Sequence, residues 1–378
     1  MDKWYYRFYE DKFFELVKPG KVAAIYGPRR SGKTSLINRF LANYKDKYYS
    51  GVGEDLPLRE LFRSQDVQRI ISAFKGYRLV VIDEAQGIPG IAVGLKIMVD
   101  HLPELKIIAS GSSSFQLSNQ LGEPLTGRHY PLLLYPIAMM EFNTQFGGMD
   151  ILQRLEEFLV LGTYPEVLLA ENRLEKHEFL VNLRNSYLFK DILELENIRN
   201  PDKLSDLLKL LAFQIGKEVS LNELGNTLGL AKQTVERYLD LLEKTFVIVK
   251  VRSFSRNLRK EIAKSSRYYF LDNGIRNALI NNFNDLSSRD DTGMLWENFL
   301  FMERRKKRHY LKIFANEYFW RTHDQKEIDL VEEREGRLWG YEFKWGKKAP
   351  KAPKLWLDTY TNANFEVIDR ENFLDFVV

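Results

Sequence analysis

Gly27-Pro28-Arg29-Arg30-Ser31-Gly32-Lys33-Thr34 fills every fixed position of the pattern G-x-x-x-x-G-K-[ST]. The apolar run before it, Val22-Ala23-Ala24-Ile25-Tyr26, predicts a buried parallel strand. Behind it, Ser35 to Tyr44 predicts a helix, with Leu36, Ile37, Phe40 and Leu41 at helical spacing. Strand, loop and helix in that order are the setting of a phosphate site. Gly27 and Gly32 let the backbone curl so that its N–H groups converge on an anion. The helix N-terminus adds partial positive charge. The expected nucleotide-binding residues are therefore Gly27, Pro28, Arg29, Arg30, Ser31, Gly32, Lys33, Thr34 and Ser35. Lys33 is expected at the β- and γ-phosphates of ATP, and the Thr34 hydroxyl on Mg²⁺.

A second signal is Arg78-Leu79-Val80-Val81-Ile82-Asp83-Glu84-Ala85-Gln86. Four apolar residues again predict a buried parallel strand. Asp83 at its end is expected to support Mg²⁺, and Glu84 to polarise the attacking water. An isolated Asp-Glu pair is commonly a solvated strand end; the phosphate loop upstream turns the reading towards hydrolysis. Leu105 to Ala109 predicts a further strand, ending in Ser110-Gly111-Ser112-Ser113-Ser114. Ser110 or Ser112 can sense the γ-phosphate, or serve as turn and cap serines. Arg128, in Leu125-Thr126-Gly127-Arg128, is read as an arginine finger or a surface arginine.

Composition bounds the rest. A chain of 378 residues is long for one core, so two to four domains are expected. Its 56 basic and 52 acidic residues nearly balance, so any nucleic-acid surface must be local. There is no cysteine, which excludes disulfides and thiolate chemistry. The five histidines lack H-x-x-x-H spacing. No apolar run approaches about 18 residues, and the start Met1-Asp2-Lys3-Trp4 lacks a signal-peptide core. A cytoplasmic protein without a membrane partner is expected.

The phrases G-P-R-R-S-G-K-T-S-L, V-V-I-D-E-A-Q, A-S-G-S-S-S and L-T-G-R, with Leu134-Tyr135-Pro136 and Glu141-Phe142, resemble a family of prokaryotic AAA+-type ATPases. Its members carry a C-terminal domain of unknown function related to restriction endonucleases. Leu161 to Glu166 and Tyr187 to Ile192 resemble the family's middle segment. The resemblance implies an α/β chain with an AAA+-like P-loop sheet, a helical lid and a restriction-endonuclease-like α/β domain; the residues between the last two are read as a winged helix.

Residues 1–20, rich in Trp, Tyr and Phe, are read as a helix packed on the ATPase core, bordering adenine or merely filling space. The expected segments are 1–145 (ATPase core), 146–204 (lid), 205–285 (winged helix) and 286–378 (nuclease-like). In the third, Ser220-Leu221-Asn222-Glu223 is a capping box. Lys232 to Lys244 is the expected recognition helix, with Val235, Tyr238, Leu239 and Leu242 facing inward. Lys232, Gln233, Thr234 and Arg237 stand where DNA contacts would be. Arg252, Arg256, Arg259, Lys260, Lys264 and Arg267 are read as a basic wing, against the alternative of a packing module.

In the fourth, strands from Lys326 to Glu332 and Arg337 to Trp345 are expected to form a hairpin centred on Arg334/Glu335. That centre sets Asp329 opposite Gly340 and on one face with Glu342 and Lys344. The carboxylates can hold Mg²⁺ and the lysine can orient water, with Glu297 as a further ligand. This is the PD-(D/E)xK pattern without its proline; charged alternation on a solvated hairpin is the alternative. Two functions stand open: an ATPase that acts on or is regulated by DNA, and a nucleotide-dependent switch that binds a protein partner or a second copy.

Overall fold

The computed structural model describes residues 4–111, 125–186, 200–255, 266–322, 324–346 and 350–378. Ser112 and the wing residues Arg256, Arg259, Lys260 and Lys264 lie outside them. The chain divides into two compact units. One comprises Tyr6–Pro136 with Lys244–Phe246; the other comprises Met1–Tyr5, Ile137–Glu243 and Val247–Val378.

The first unit contains α1 (Phe13–Leu16), β1 (Val22–Tyr26), α2 (Lys33–Ala42), β2 (Tyr48–Val52), α3 (Leu56–Ser64), α4 (Val67–Phe74), β3 (Leu79–Asp83), α5 (Ile91–His101), β4 (Lys106–Gly111) and β5 (His129–Leu133). The strands form a parallel sheet in the order β2-β3-β4-β1-β5. β1 is buried along its whole length and β3 up to Asp83. That is why they read as unbroken apolar runs: both faces of a parallel sheet are covered. Phe62, Phe74, Ile91, Leu95 and Met98 of the helices belong to the same core as Val22, Val80 and Ile107. The parallel register brings Tyr26 beside Gly111, and Val52 beside Asp83. The C-terminal ends of the strands therefore share one edge, where ligands bind in open α/β sheets.

Two expectations need correction. The helix after the loop starts at Lys33 rather than Ser35, because Gly32, at φ 92°, turns the chain straight into it. Residues 1–20 do not form one helix; within the described part only Phe13–Leu16 is helical. Phe13 and Phe14 instead set their rings against Phe40, with centroids 4.9 and 4.7 Å away.

In the second unit, helices α6 (Met139–Phe146), α7 (Gly148–Leu161), α8 (Pro165–Leu169) and α9 (Arg173–Leu183) come first. Residues 159–163, within the stretch expected as a lid, are bonded to buried polar groups of this unit. The Asn273 and Asn277 amides donate to the Leu159 and Val160 carbonyls at 3.1 and 2.8 Å. Asp272 accepts from the Thr163 N–H at 2.7 Å. Next come α10 (Pro201–Phe213), β6 (Glu218–Val219), α11 (Leu221–Leu228), α12 (Lys232–Lys244), β7 (Ile248–Ser253) and β8 (Ser266–Phe270). The Ser220 hydroxyl accepts from the Glu223 N–H at 3.3 Å and starts α11. Gly229, in the left-handed region, ends it. Val235, Tyr238, Leu239 and Leu242 are buried, as their spacing predicts.

The unit closes with α13 (Asn273–Leu279), α14 (Thr292–Tyr310), β9 (Asn316–Arg321), β10 (Glu327–Arg334), β11 (Arg337–Phe343), α15 (Lys354–Thr359), β12 (Ala363–Ile368) and α16 (Phe373–Val377). β7 and β8 pair antiparallel, and β7 also pairs parallel with β9. One sheet, β12-β11-β10-β9-β7-β8-β6, thus runs through residues on both sides of position 286. Pairing with β9 satisfies the backbone edge that β7 would otherwise expose. Among the described residues no helix is long and apolar enough to cross a membrane.

Candidate active site

In the first unit the loop from Gly27 to Gly32 joins buried β1 to α2. A Cβ at Gly27 would stand 2.1 Å from the Leu134 carbonyl oxygen, so only glycine permits this close approach. Pro28 and Ser31 are buried; Arg29, Arg30, Thr34 and Ser35 are exposed around the loop. The buried Lys33 ammonium donates to the Gly27 and Pro28 carbonyls at 3.1 and 2.9 Å. These bonds hold it inside the curl of the loop, beside the position of an incoming phosphate. Burial lowers its pKa to about 8, opposed by the charges of Glu84 and Asp83 and assisted by Arg29. It stays mainly cationic at neutral pH.

Asp83 ends β3 facing the start of α2. The Thr34 hydroxyl donates to its Oδ2 at 2.6 Å. Its Oδ1 accepts from the Glu84 N–H at 3.1 Å and from the Ser110 hydroxyl. Ser110 also accepts from the Glu84 N–H at 3.3 Å. The expected γ-phosphate sensor is thus a buried partner of Asp83, one that fixes its carboxylate. Glu84, at φ 50°, leaves the strand direction, and the Gln86 amide donates to its carboxylate at 2.5 Å. The hydroxyl and carboxylate oxygens of Thr34 and Asp83 are hard donors of the type Mg²⁺ takes. Lys33, Thr34, Asp83, Glu84 and Ser110 therefore come together. Arg128 does not. Its carbonyl accepts from the Val22 N–H, at the opposite end of β1 from the loop, and its guanidinium pairs with Asp100 at 2.8 Å.

Arg7 went unread in the sequence, where it is one cation among aromatic residues. Its guanidinium, 1% exposed, donates to the carbonyls of Ser31 and Tyr135, both at 2.6 Å.

The second unit holds the C-terminal carboxylates. The hairpin register pairs Arg334 with Arg337 and Val331 with Gly340. Val331, not Asp329, is opposite Gly340. The turn is Glu335-Gly336, both at positive φ, one step beyond the expected centre. Moving the centre by one residue shifts each partner by two, so the face is unchanged. Asp329 accepts from the Phe343 N–H at 2.9 Å, and Lys344 donates to Glu342 at 2.6 Å.

Arg267, read as part of a basic wing, is a buried residue of β8. It reaches Glu327 at 2.6 Å, Asp329 at 3.4 Å and Glu297 at 3.6 Å, over the Phe319 ring at 4.6 Å. The Tyr269 hydroxyl donates to Glu297 at 2.7 Å. Burial, then repulsion from Asp329, raises the Glu297 pKa to about 8, against the pull of Arg267. The same two causes raise Glu342 to about 7, while Lys344 opposes them. One Glu342 oxygen, Oε2, is buried without a hydrogen-bond partner. Among the described residues no group of three His, Cys, Asp or Glu is arranged to hold a metal. Of the set expected as ligands, Glu297 and Asp329 stand beside the Arg267 guanidinium and Glu342 beside the Lys344 ammonium.

Residues 19–143 match an AAA domain model. Residues 152–286 and 292–367 match two domains of unknown function, DUF8612 and DUF4143. An uncharacterized protein of Methanocaldococcus jannaschii is 24% identical over 308 residues, covering 76% of this chain and 67% of its own length. One of Haemophilus influenzae is 26% identical over 338 residues, covering 82% and 79%. The solved Walker-type ATPase of Pyrococcus abyssi is 18% identical, with a TM-score of 0.48, over 72% of this chain and 94% of that one. The AAA match spans β1 to β5 and the phosphate loop, so this part of the chain is of P-loop ATPase type. The endonuclease likeness of residues 286–378 remains a reading of their residues.

Proposed function

We propose that the chain binds and hydrolyses ATP with Mg²⁺ at residues 27–35, 83, 84 and 110. The observation that carries this is the bond from Thr34 to Asp83 at the mouth of the loop, with Glu84 beside it. Bound Mg²⁺ would neutralise charge on the transferring phosphoryl, held by the Thr34 hydroxyl and supported by Asp83. Lys33 would leave the loop carbonyls for the β- and γ-phosphates. Glu84 would accept the proton of the attacking water, and Ser110 would keep Asp83 in place. Arg128 could serve only the site of another copy. The test is ATP turnover by wild type, Lys33→Ala and Glu84→Gln. Turnover near wild type in Lys33→Ala would refute the assignment.

In the cytoplasm, the ATPase core (1–145) would act with three further segments, 146–204, 205–285 and 286–378, on or under the control of DNA. What favours DNA is the exposed start of α12, where Lys232, Gln233 and Arg237 face outward above a buried face. The helix pair α11–α12 followed by the antiparallel strands β7 and β8 supports the winged-helix reading of 205–285. A second reading, a switch for a protein partner with a non-catalytic C-terminal scaffold, is favoured by Arg267 among the carboxylates. DNA-stimulated turnover and Mg²⁺-dependent nicking that is lost in Asp329→Ala would support the first reading. Absence of both would leave the second.

A further inference from the structure

We infer that Arg7 is a positioning residue of the phosphate loop, aiming a backbone N–H at the nucleotide's β-phosphate from behind. The inference rests on the ATP-binding reading above. Arg7 grips the Ser31 carbonyl at 2.6 Å, and Ser31 is the residue between Arg30, at φ 63°, and Gly32, at φ 92°. In a planar trans peptide the C=O and the following N–H point in opposite directions. Pulling the Ser31 oxygen towards Arg7 therefore turns the Gly32 N–H away from Arg7 and into the loop. The next N–H groups belong to the first turn of α2, which has no intrahelical acceptors for them. Gly32 is thus aligned with a row of donors that converge on an anion.

The second bond of Arg7 fixes the other wall. The Tyr135 carbonyl follows Leu134, whose N–H donates to Tyr26 at 2.7 Å and whose oxygen abuts Gly27. One guanidinium thereby ties both ends of the loop, Gly27 through Leu134–Tyr135 and Gly32 through Ser31. Its planar fork can serve two carbonyls at once. Its charge, withdrawn from water, adds to the positive field of the loop. Arg30, a non-glycine residue at φ 63°, is held in its strained conformation next to the gripped Ser31.

The experiment measures the affinities of the full chain for MgATP, MgADP and AMP, by calorimetry, for wild type, Arg7→Gln, Arg7→Lys and Lys33→Ala. AMP lacks the β-phosphate. In Arg7→Gln, affinity for MgATP and MgADP should fall roughly 10- to 100-fold, the worth of a hydrogen bond to a charged group, while that for AMP stays within about twofold. Arg7→Lys, which keeps the charge, should recover part of the loss. Equal losses for all three nucleotides would assign Arg7 a purely structural role and overturn the inference. So would MgATP affinity unchanged in Arg7→Gln while Lys33→Ala loses it. Should Arg7→Gln fail to fold, the same ratio of MgADP to AMP in Arg7→Lys decides: unchanged from wild type, the inference fails. Wild type that binds no ATP would instead remove the ATP-binding reading itself.

Discussion

Two acidic constellations in this chain use the same residue types to opposite ends. Asp83 and Glu84 stand at the open edge of a parallel sheet, their protein partners mostly neutral hydroxyls, amides and N–H groups. Glu297, Asp329 and Glu342, buried or half-buried in the second unit, and the exposed Glu327 lie beside Arg267 and Lys344. The first set leaves negative charge for a cation to arrive; the second already contains its cations. Charge partners, more than the count of carboxylates, decide whether an acidic cluster can take a metal. Removing one member of a buried charge group strands the others, whereas removing a half-buried acid at the sheet edge costs chemistry more than stability.

The comparison breaks first at Lys33. Lys33→Ala should reduce ATP turnover to background in a phosphate-release assay, with the melting temperature nearly unchanged. Glu84→Gln should follow, with hydrolysis slowed about 10²- to 10⁴-fold, the usual worth of a general base, and ATP still bound. If Glu84→Gln loses binding and turnover alike, Glu84 belongs to the metal or the fold.

At the second cluster the effect should appear in stability. Arg267→Met should destabilise the second unit by about 3–5 kcal/mol in urea unfolding, the cost of stranding buried carboxylates. A loss below about 1 kcal/mol would mean that the guanidinium contributes no more than an exposed ion pair does. The pH dependence sharpens this. A carboxyl whose pKa is raised on folding favours the folded state while protonated, and that advantage fades as pH rises through the folded value. With Glu342 near 7 and Glu297 near 8, stability should fall from about pH 5 to about pH 8. Glu297→Gln should flatten that slope; an unchanged slope would place the titration elsewhere. The smallest effect concerns DNA. Lys232→Ala with Arg237→Ala should weaken binding alike for all sequences and lower the salt slope by about two, read by fluorescence anisotropy.

The phosphate loop was legible because its geometry is local. Eight consecutive residues, an apolar run before them and a helical pattern after them fix strand, turn and helix without help from the rest of the chain. The same holds for α12, whose buried positions follow from spacing, and for the face shared by Asp329 and Glu342, which depends on strand parity. The hairpin turn was misplaced by one residue, although Gly336 marked it: a two-residue turn with both residues at positive φ favours glycine at its second position. What tertiary structure alone decided is where lone cations go. Arg7 reaches Ser31 and Tyr135, 24 and 128 residues away. Arg267 reaches Asp329, 62 residues on. No periodicity records such encounters, because an arginine on a strand or in a loop looks alike in sequence whether water or a buried carboxylate receives it. Burial, set by how β8 joins β7 and β9 in one sheet, made Arg267 an internal counter-ion rather than a contact for DNA.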